Sequence, residues 1–177
     1  MNDRKYAALT AIGPDRIGIV DGLSAGVEAA GGNIEESGVE ALGGEFAVIL
    51  LVSGGSDALS AVSSRLKQWE ADYNLSLTLK STVGARDAVG GLPYLIESVS
   101  MDRIGIVHRL TAILRKHNVN IEELDTETAP APMTGTPMFR VRMRVIAPPS
   151  AKIPELKDAF DRLSRDQNLD VVIHSLA

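Results

Sequence analysis

The sequence contains no cysteine among its 177 residues. That absence excludes a disulfide framework, a thiolate metal site and a cysteine nucleophile. Aromatic residues make up only 4% of the chain, so a core has to be built from Val, Ile, Leu and Ala within the 45% apolar content. The N-terminus has no apolar run of signal-peptide length, and no stretch approaches the roughly 20 residues of a membrane span. We therefore expect a cytoplasmic protein with no membrane partner.

The chain also lacks a strongly basic cluster. Its formal net charge is -5, and the excess of acid lies in residues 1–93, which hold 7 Lys/Arg and 12 Asp/Glu. Residues 94–177 hold 11 of each kind. A protein that holds DNA by itself needs a basic face that displaces counterions from the phosphates. We expect no direct binding to nucleic acid.

Motifs for catalysis or metal binding are missing as well. No nucleophile elbow, phosphate-binding loop or dinucleotide fingerprint is present. His108, His117 and His174 do not have the spacing of metal ligands. The pairs Glu35-Glu36 and Glu122-Glu123 are adjacent strand residues whose side chains point to opposite faces, which favours surface charge over acid–base chemistry. We expect a protein that is not an enzyme, with no catalytic residues, no metal and no cofactor.

An internal repeat is the strongest signal in the chain. The hexapeptide Asp-Arg-Ile-Gly-Ile-Val begins at Asp15 and again at Asp102, 87 residues later, and the same offset carries Asn33-Ile34-Glu35-Glu36 to Asn120-Ile121-Glu122-Glu123. The second copy then gains about six residues in the Pro- and Gly-rich stretch 128–137, which predicts a longer loop. We predict a first domain at 1–83, a linker at 84–93 and a second domain at 94–177.

Each copy predicts the element order βαββαβ, which is the ferredoxin-like arrangement of an α+β fold with an antiparallel sheet. The first strands are predicted at Tyr6–Ile12 and Tyr94–Val99. Helical spacing of apolar residues follows in both copies. The residues predicted to face the core are Ile17, Val20, Leu23 and Val27, with Ile104, Val107, Leu110 and Leu114 in the second copy. Gly31-Gly32 and His117-Asn118 are predicted to end these helices.

The third strands differ between the copies. Phe46–Val52 is apolar at every position, whereas Arg140, Arg142 and Arg144 alternate with apolar residues in the second copy. The arginines form either a cationic stripe for an acidic partner or a solvated face. Because helices cover only one face of the first sheet, Ala47, Ile49 and Leu51 need another cover. We expect a homodimer in which the first-copy sheets pack on each other.

The repeated Asp-Arg-Ile-Gly-Ile-Val turn, with Asn-Ile about fifteen residues later, resembles the ACT domain family. That family consists of βαββαβ modules that bind small ligands, often amino acids, and regulate enzymes or transcription. The tandem arrangement and the second-copy stretch 131–139 resemble the glycine cleavage system transcriptional repressor family more specifically. The resemblance implies a small-molecule ligand such as glycine or another amino acid. It also implies a protein partner such as a transcription activator, and control of amino-acid metabolism or its transcription.

The resemblance further implies a ligand pocket where paired modules meet, lined by the strand–helix loop and the start of the second strand. The implied ligand-binding residues are Asp15, Arg16, Gly18, Asn33 and Ile34, with Asp102, Arg103, Gly105, Asn120 and Ile121 in the second copy. Each has a structural alternative: the aspartates as N-caps, the glycines as packing residues, the asparagines as turn residues and the arginines as solvated charges. We expect the two pockets to be unequal. The competing functional hypothesis is an assembly module with degenerate pockets and no ligand.

Overall fold

The computed structural model describes residues 4–84 and 90–176, and the chain divides into two compact units, Met1–Arg86 and Asp87–Ala177. The first unit contains β1 (Lys5–Pro14), α1 (Ile19–Ala29), β2 (Asn33–Leu42), β3 (Glu45–Gly54), α2 (Ser56–Tyr73) and β4 (Ser76–Thr82). The second unit contains β5 (Leu92–Met101), α3 (Ile106–Lys116), β6 (Asn120–Pro130), β7 (Pro137–Ala147), α4 (Ile153–Gln167) and β8 (Asp170–Ser175).

Each unit has one antiparallel four-stranded sheet, with strand order β2-β3-β1-β4 in the first and β6-β7-β5-β8 in the second. This order and the twice-repeated βαββαβ succession confirm the ferredoxin-like α+β fold. Alternate residues of the central strands are buried against the two helices of their own unit. The other face of each sheet is left open by those helices. None of the four helices in the described ranges combines the length and the apolar character needed to cross a membrane.

Connections differ from the sequence prediction in two places. The predicted linker at 84–93 is partly outside the described residues, which omit 85–89, and β5 already begins at Leu92. The predicted loop at 128–137 is shorter, because β6 continues to Pro130 and the Ala131 amide donates to the Thr136 carbonyl at 2.8 Å. In the first unit the corresponding hairpin turns at Gly43-Gly44, both with positive φ, which the tight two-residue turn requires.

The core residues predicted for the start of the first helix in each unit are wrong. Ile17 and Ile104 are almost completely exposed, at 104% and 98%, and Val20 is 46% exposed. The helices begin only after a left-handed glycine, so helical periodicity does not extend back to these isoleucines. The buried residues are spaced by four: Ile19, Leu23 and Val27 in α1, and Ile106, Leu110 and Leu114 in α3. The predicted helix ends are confirmed, since α1 ends at Ala29 and α3 at Lys116.

Candidate functional site

The loop between β1 and α1 is held by the first unit itself. The backbone amide of Asp15 donates to the Gly44 carbonyl at 3.0 Å, which joins the loop to the β2–β3 hairpin. The guanidinium of Arg16 donates to the carbonyl of Asp72 and lies 5.1 Å from the ring centroid of Tyr73. Arg16 therefore contacts the end of α2, and a ligand would have to compete with or extend these contacts.

Gly18 has a conformational reason to be glycine. It precedes the first residue of α1 with φ 93°, and Gly105 does the same before α3 with φ 91°. A Cβ on Gly18 would meet no atom within 4 Å, so helix–sheet packing does not explain this glycine. The alternative of Asp15 as an N-cap is wrong, because Gly18 is the cap residue and no side chain caps the helix. The first-turn amides of α1 are thus not satisfied by a side chain.

The equivalent loop of the second unit has a different charge arrangement. The Asp102 amide donates to the Pro137 carbonyl at 3.3 Å, again joining loop and hairpin. The Arg103 side chain is exposed, and within 90–176 it makes no hydrogen bond or ion pair. Arg109, which occupies the position of Gly22 in the first unit, donates from its guanidinium to the Ile104 carbonyl at 3.3 Å. Sequence reasoning missed Arg109 because it has no counterpart in the first repeat.

Asn33 lies at the start of β2 and is part of a polar cluster. Its side-chain amide donates to Glu35 Oε1 at 2.8 Å, and the Ser53 hydroxyl donates to the same oxygen at 2.5 Å. The guanidinium of Arg4 also pairs with Glu35. The hydrogen bond from Ser53, then that from Asn33, and then the charge of Arg4 lower the pKa of the Glu35 carboxyl. The neighbouring Ile34 packs against the core. Asn33 and Ile34 therefore both make contacts that stabilise the first unit itself.

Neither unit brings its five implied ligand residues together. Asn33 is opposite Ser53, which is opposite Tyr6 near the beginning of β1, whereas Asp15 follows the other end of that strand. Pro14 follows Tyr6 by eight residue steps along β1, a length of about 27 Å. The second unit repeats this separation, because Asn120 pairs with Ile146 and Ile146 with Pro93. Loop and asparagine therefore lie at opposite ends of the same sheet.

A groove of about 620 Å³ lies in the second unit beside α3. Asn120 and Ile121 line it, together with residues that sequence reasoning did not select, among them His108 and Arg115. The side chain of Asn120 is exposed, and in the described part of the chain it makes no hydrogen bond. The same positions of the first repeat, 87 residues earlier, are Asp21 and Glu28. The basic side chains of the groove in the second unit therefore suit an anionic group, whereas the acidic residues at the equivalent positions of the first unit do not.

The arginine stripe on β7 is not a free cationic surface. Arg140 pairs with Glu127 at 3.9 Å and Arg142 with Glu97 at 4.0 Å. Arg144 lies 3.6 Å from Glu122 and 3.3 Å from Glu123, so the prediction that these two side chains point to opposite faces is wrong, because the strand register shifts between Ile121 and Glu123. Both glutamates are nevertheless exposed surface charges. The stripe is a solvated face of ion pairs. Within residues 4–84 and 90–176, no group of three His, Asp or Glu side chains is placed to hold a metal ion.

Comparisons with known proteins agree with this architecture. Residues 5–80 match the ACT domain family. The chain is 29% identical over 168 residues to the glycine cleavage system transcriptional repressor of Escherichia coli (strain K12), which covers 95% of this chain and 88% of that relative. The crystal structure of an unknown protein from Galdieria sulphuraria has 30% identity and a TM-score of 0.79, over 98% of this chain and 99% of that one. A second crystal structure, of a provisionally assigned glycine cleavage system transcriptional repressor, shares the fold with a TM-score of 0.75 at 20% identity, over 98% of each chain.

Proposed function

We propose that the chain is a non-enzymatic, ligand-responsive regulator in the cytoplasm, because residues 5–80 match the ACT domain family, the second unit repeats the same sheet order, and both units are similar to a glycine cleavage system transcriptional repressor. The ligand is a small amino acid, with glycine the first candidate. The observation that carries the proposal is the likeness to a named repressor across both units, since 95% of this chain is covered. A likeness confined to one unit would support ligand binding but not this mode of regulation.

The chemistry of the second unit suits an α-amino acid. Such a ligand presents a carboxylate and an ammonium group a few atoms apart. Arg115 lines the groove as a donor for the carboxylate, and the amide of Asn120 has both a donor and an acceptor to offer. No side chain caps the first turn of α3, so its backbone amides offer a separate place for an anionic group at the loop end of the unit. Charge, rather than a deep apolar cavity, is what selects the ligand.

The separation of loop and asparagine within each unit has a consequence for the pocket. One amino acid cannot contact both ends of a unit, because about 27 Å of strand separates them. The proposed site is therefore the groove beside α3, which Asn120 and Arg115 line within the second unit. Asp102 and Arg103 lie too far along the sheet to contact a ligand bound there.

The regulator acts through a protein partner such as a transcription activator. Its net charge is -5, and within the described ranges 4–84 and 90–176 the arginines of β7 are paired with carboxylates, so this stripe is not a basic face for DNA. The partner would supply the contact to DNA. The second candidate function is an assembly module without a ligand, and it is favoured by one observation: Arg16 and Asn33 of the first unit are already engaged by their own unit.

Calorimetric titration with the twenty amino acids separates these functions. We expect saturable heat with a small amino acid, and a matching rise in thermal stability. A ligand at a hundred times its dissociation constant adds about 2.7 kcal/mol to the free energy of unfolding. Arg115→Ala should weaken the response, whereas Lys116→Ala, an adjacent cation outside the groove, should not. Absence of heat and of stabilisation for every amino acid would contradict the ligand-binding function and leave the assembly module.

A further inference from the structure

The open face of the first sheet has an ordered apolar centre. Five apolar residues and Thr10 form it in three pairs between β1 and β3: Ala8 with Leu51, Thr10 with Ile49, and Ile12 with Ala47. Two of the pairs set a large aliphatic side chain against alanine, and the positions of the large and the small residue alternate between the strands. The surface therefore has projections and hollows rather than a flat profile.

The two isoleucines are exposed although they are apolar, and the other four residues are half-buried. Ile12 and Ile49 are 55% and 53% exposed. A groove of about 520 Å³ lies between them over Gly38 and Ala47. Folded domains rarely expose a contiguous apolar surface of this kind, and where they do it usually marks an interaction site.

The fold itself does not require an apolar face here, as the second unit shows. Ala47, Ile49 and Leu51 correspond in the repeat to Arg140, Arg142 and Arg144. Those arginines form ion pairs with acidic residues of the flanking strands and are exposed. The same sheet position is thus built for water in one unit and for contact in the other.

Charges at the rim indicate what covers the first face. On the β2 edge Glu36 is opposite Leu51, and on the β4 edge Lys80 is opposite Ala8. Glu36, Leu51, Ala8 and Lys80 therefore form one row across the sheet, acidic at one end and basic at the other. Within residues 4–84 and 90–176, neither Glu36 nor Lys80 has an ion-pair partner. A cover with the reversed row would pair both charges.

We propose that this face is the interface of a homodimer, in which two copies of the first sheet pack face to face about a two-fold axis parallel to the strands. This rotation places the β2 edge of one sheet over the β4 edge of the other. Glu36 then faces the partner's Lys80, Leu51 lies over the partner's Ala8, and Ile12 over the partner's Ala47. Large side chains meet small ones in two of the three rows, as close packing between sheets requires.

The orientation of the axis follows from the charges. A two-fold axis perpendicular to the strands would put the β2 edges together and bring the acidic side chains Glu36 and Glu40 of both copies into one place. Like charges at an interface are repulsive, so this alternative is disfavoured. The axis parallel to the strands instead gives two symmetric Glu36–Lys80 pairs.

The available area is sufficient for a stable dimer. Three of the four strands have ten residues. At about 3.3 Å per residue and about 4.8 Å between strands, the face has a planar footprint of about 600 Å². Two partners bury about 1,200 Å² in this way, which reaches the range of specific interfaces before side-chain relief is added.

Sedimentation velocity of the full chain, without any amino acid, tests the interface independently of ligand binding. We expect a dimer that Ile49→Arg dissociates, with the dissociation constant raised roughly 100-fold or more because an unpaired guanidinium becomes buried. Arg142→Ala, a change at the equivalent position of the second unit, should leave the dimer intact. Far-UV circular dichroism establishes that both variants are folded.

Exchanging the charges of Glu36 and Lys80 at the edges of the sheet keeps the test informative if Ile49→Arg does not fold. Lys80→Glu should weaken the dimer, because it sets acid against the partner's Glu36, and adding Glu36→Lys should restore it. Both positions are exposed, so folding is not at risk. A monomeric parent protein, a dimer unaffected by Ile49→Arg, or a double variant no tighter than Lys80→Glu alone would overturn the proposal.

Discussion

The indole of Trp69 lies against α1 at Gly26, so closely that a Cβ on this glycine would come within 2.3 Å of Cζ2 of the ring. In the second unit, side chains of different size occupy the equivalent helix–helix contact. Ile113 stands where the first unit has Gly26, and Leu163 where it has Trp69. A large ring over a glycine and two medium aliphatic side chains fill comparable space, which is how the two copies keep one fold with different cores.

The contact predicts that Gly26→Ala destabilises the first unit. Alanine gains about 1 kcal/mol over glycine in a helix, but the added methyl overlaps the indole and has to displace it. We expect a net loss of about 1–2 kcal/mol in the free energy of unfolding. Urea unfolding followed by tryptophan fluorescence measures it, since Trp69 is the single tryptophan of the chain. Gly90→Ala, at a glycine with open space around it, is the control and should unfold like the parent.

Replacing both partners offers a stricter version of the experiment. Gly26→Ile with Trp69→Leu copies the second unit and should recover most of the stability lost by Gly26→Ile alone, as judged by circular dichroism. An unchanged urea midpoint for Gly26→Ala, or no recovery in the double variant, would show that the indole moves aside at little cost.

Gly18 leads to a prediction that separates conformation from ligand access. Its φ of 93° is costly for residues with a Cβ, whereas the space around it is open. Gly18→Ala should therefore lower the free energy of unfolding by about 1–2 kcal/mol, and Gly18→Asn by less, because asparagine tolerates positive φ. The comparison uses urea midpoints in the absence of amino acids. Equal stability of parent and alanine variant would assign this glycine to ligand access instead.

The repeat made the fold predictable, because both copies of the sequence pattern predict the same order of strands and helices. The helix ends at Gly31 and Asn118 were also predictable, since both residues adopt the positive φ that such ends require. The start of each helix was not. Ile17 and Ile104 have helical spacing with later core residues, and only the backbone turn at Gly18 and Gly105 explains why they lie outside the helix.

The candidate site was less predictable because it depends on cross-strand neighbours. Nothing near Asn33 in the sequence indicates Ser53, yet the strand register brings Ser53 to Glu35 and thereby engages Asn33. The register likewise sets Arg140 against Glu127, which removes the cationic stripe that alternation alone suggested. Local patterns gave the faces of the strands, but pairing between distant segments decided what each face contains.

The Glu35 cluster predicts an acid dependence for the first unit. Because hydrogen bonds from Ser53 and Asn33 and the charge of Arg4 lower the pKa of Glu35 in the folded state, the ionised carboxylate stabilises the unit at pH 7. This contribution is lost as the pH falls from about 5 through the lowered pKa. Glu35→Gln should therefore be less stable than the parent at pH 7 and should lose less stability on acidification.

Urea midpoints from Trp69 fluorescence between pH 7 and 3 measure this difference, with Glu36→Gln as the neighbouring control. Parallel pH profiles for Glu35→Gln and the parent would contradict the role of the cluster.

The last prediction concerns the inequality of the two asparagines in binding. Asn33 already donates to Glu35, so a ligand would gain little from it without breaking that hydrogen bond. Asn120 lines a groove with Arg115 and, in the described part of the chain, has no hydrogen bond to lose. A hydrogen bond to a charged ligand group contributes about 1.5–3 kcal/mol, so Asn120→Ala should weaken binding of the amino acid roughly 10- to 100-fold. Asn33→Ala should change it by less than about 3-fold, while lowering the stability of the first unit through Glu35. Calorimetric titration of both variants with the amino acid that binds the parent gives the two ratios directly. Equal weakening by the two substitutions would mean that the first asparagine leaves Glu35 for the ligand, and the pockets would then be equivalent despite their different charges.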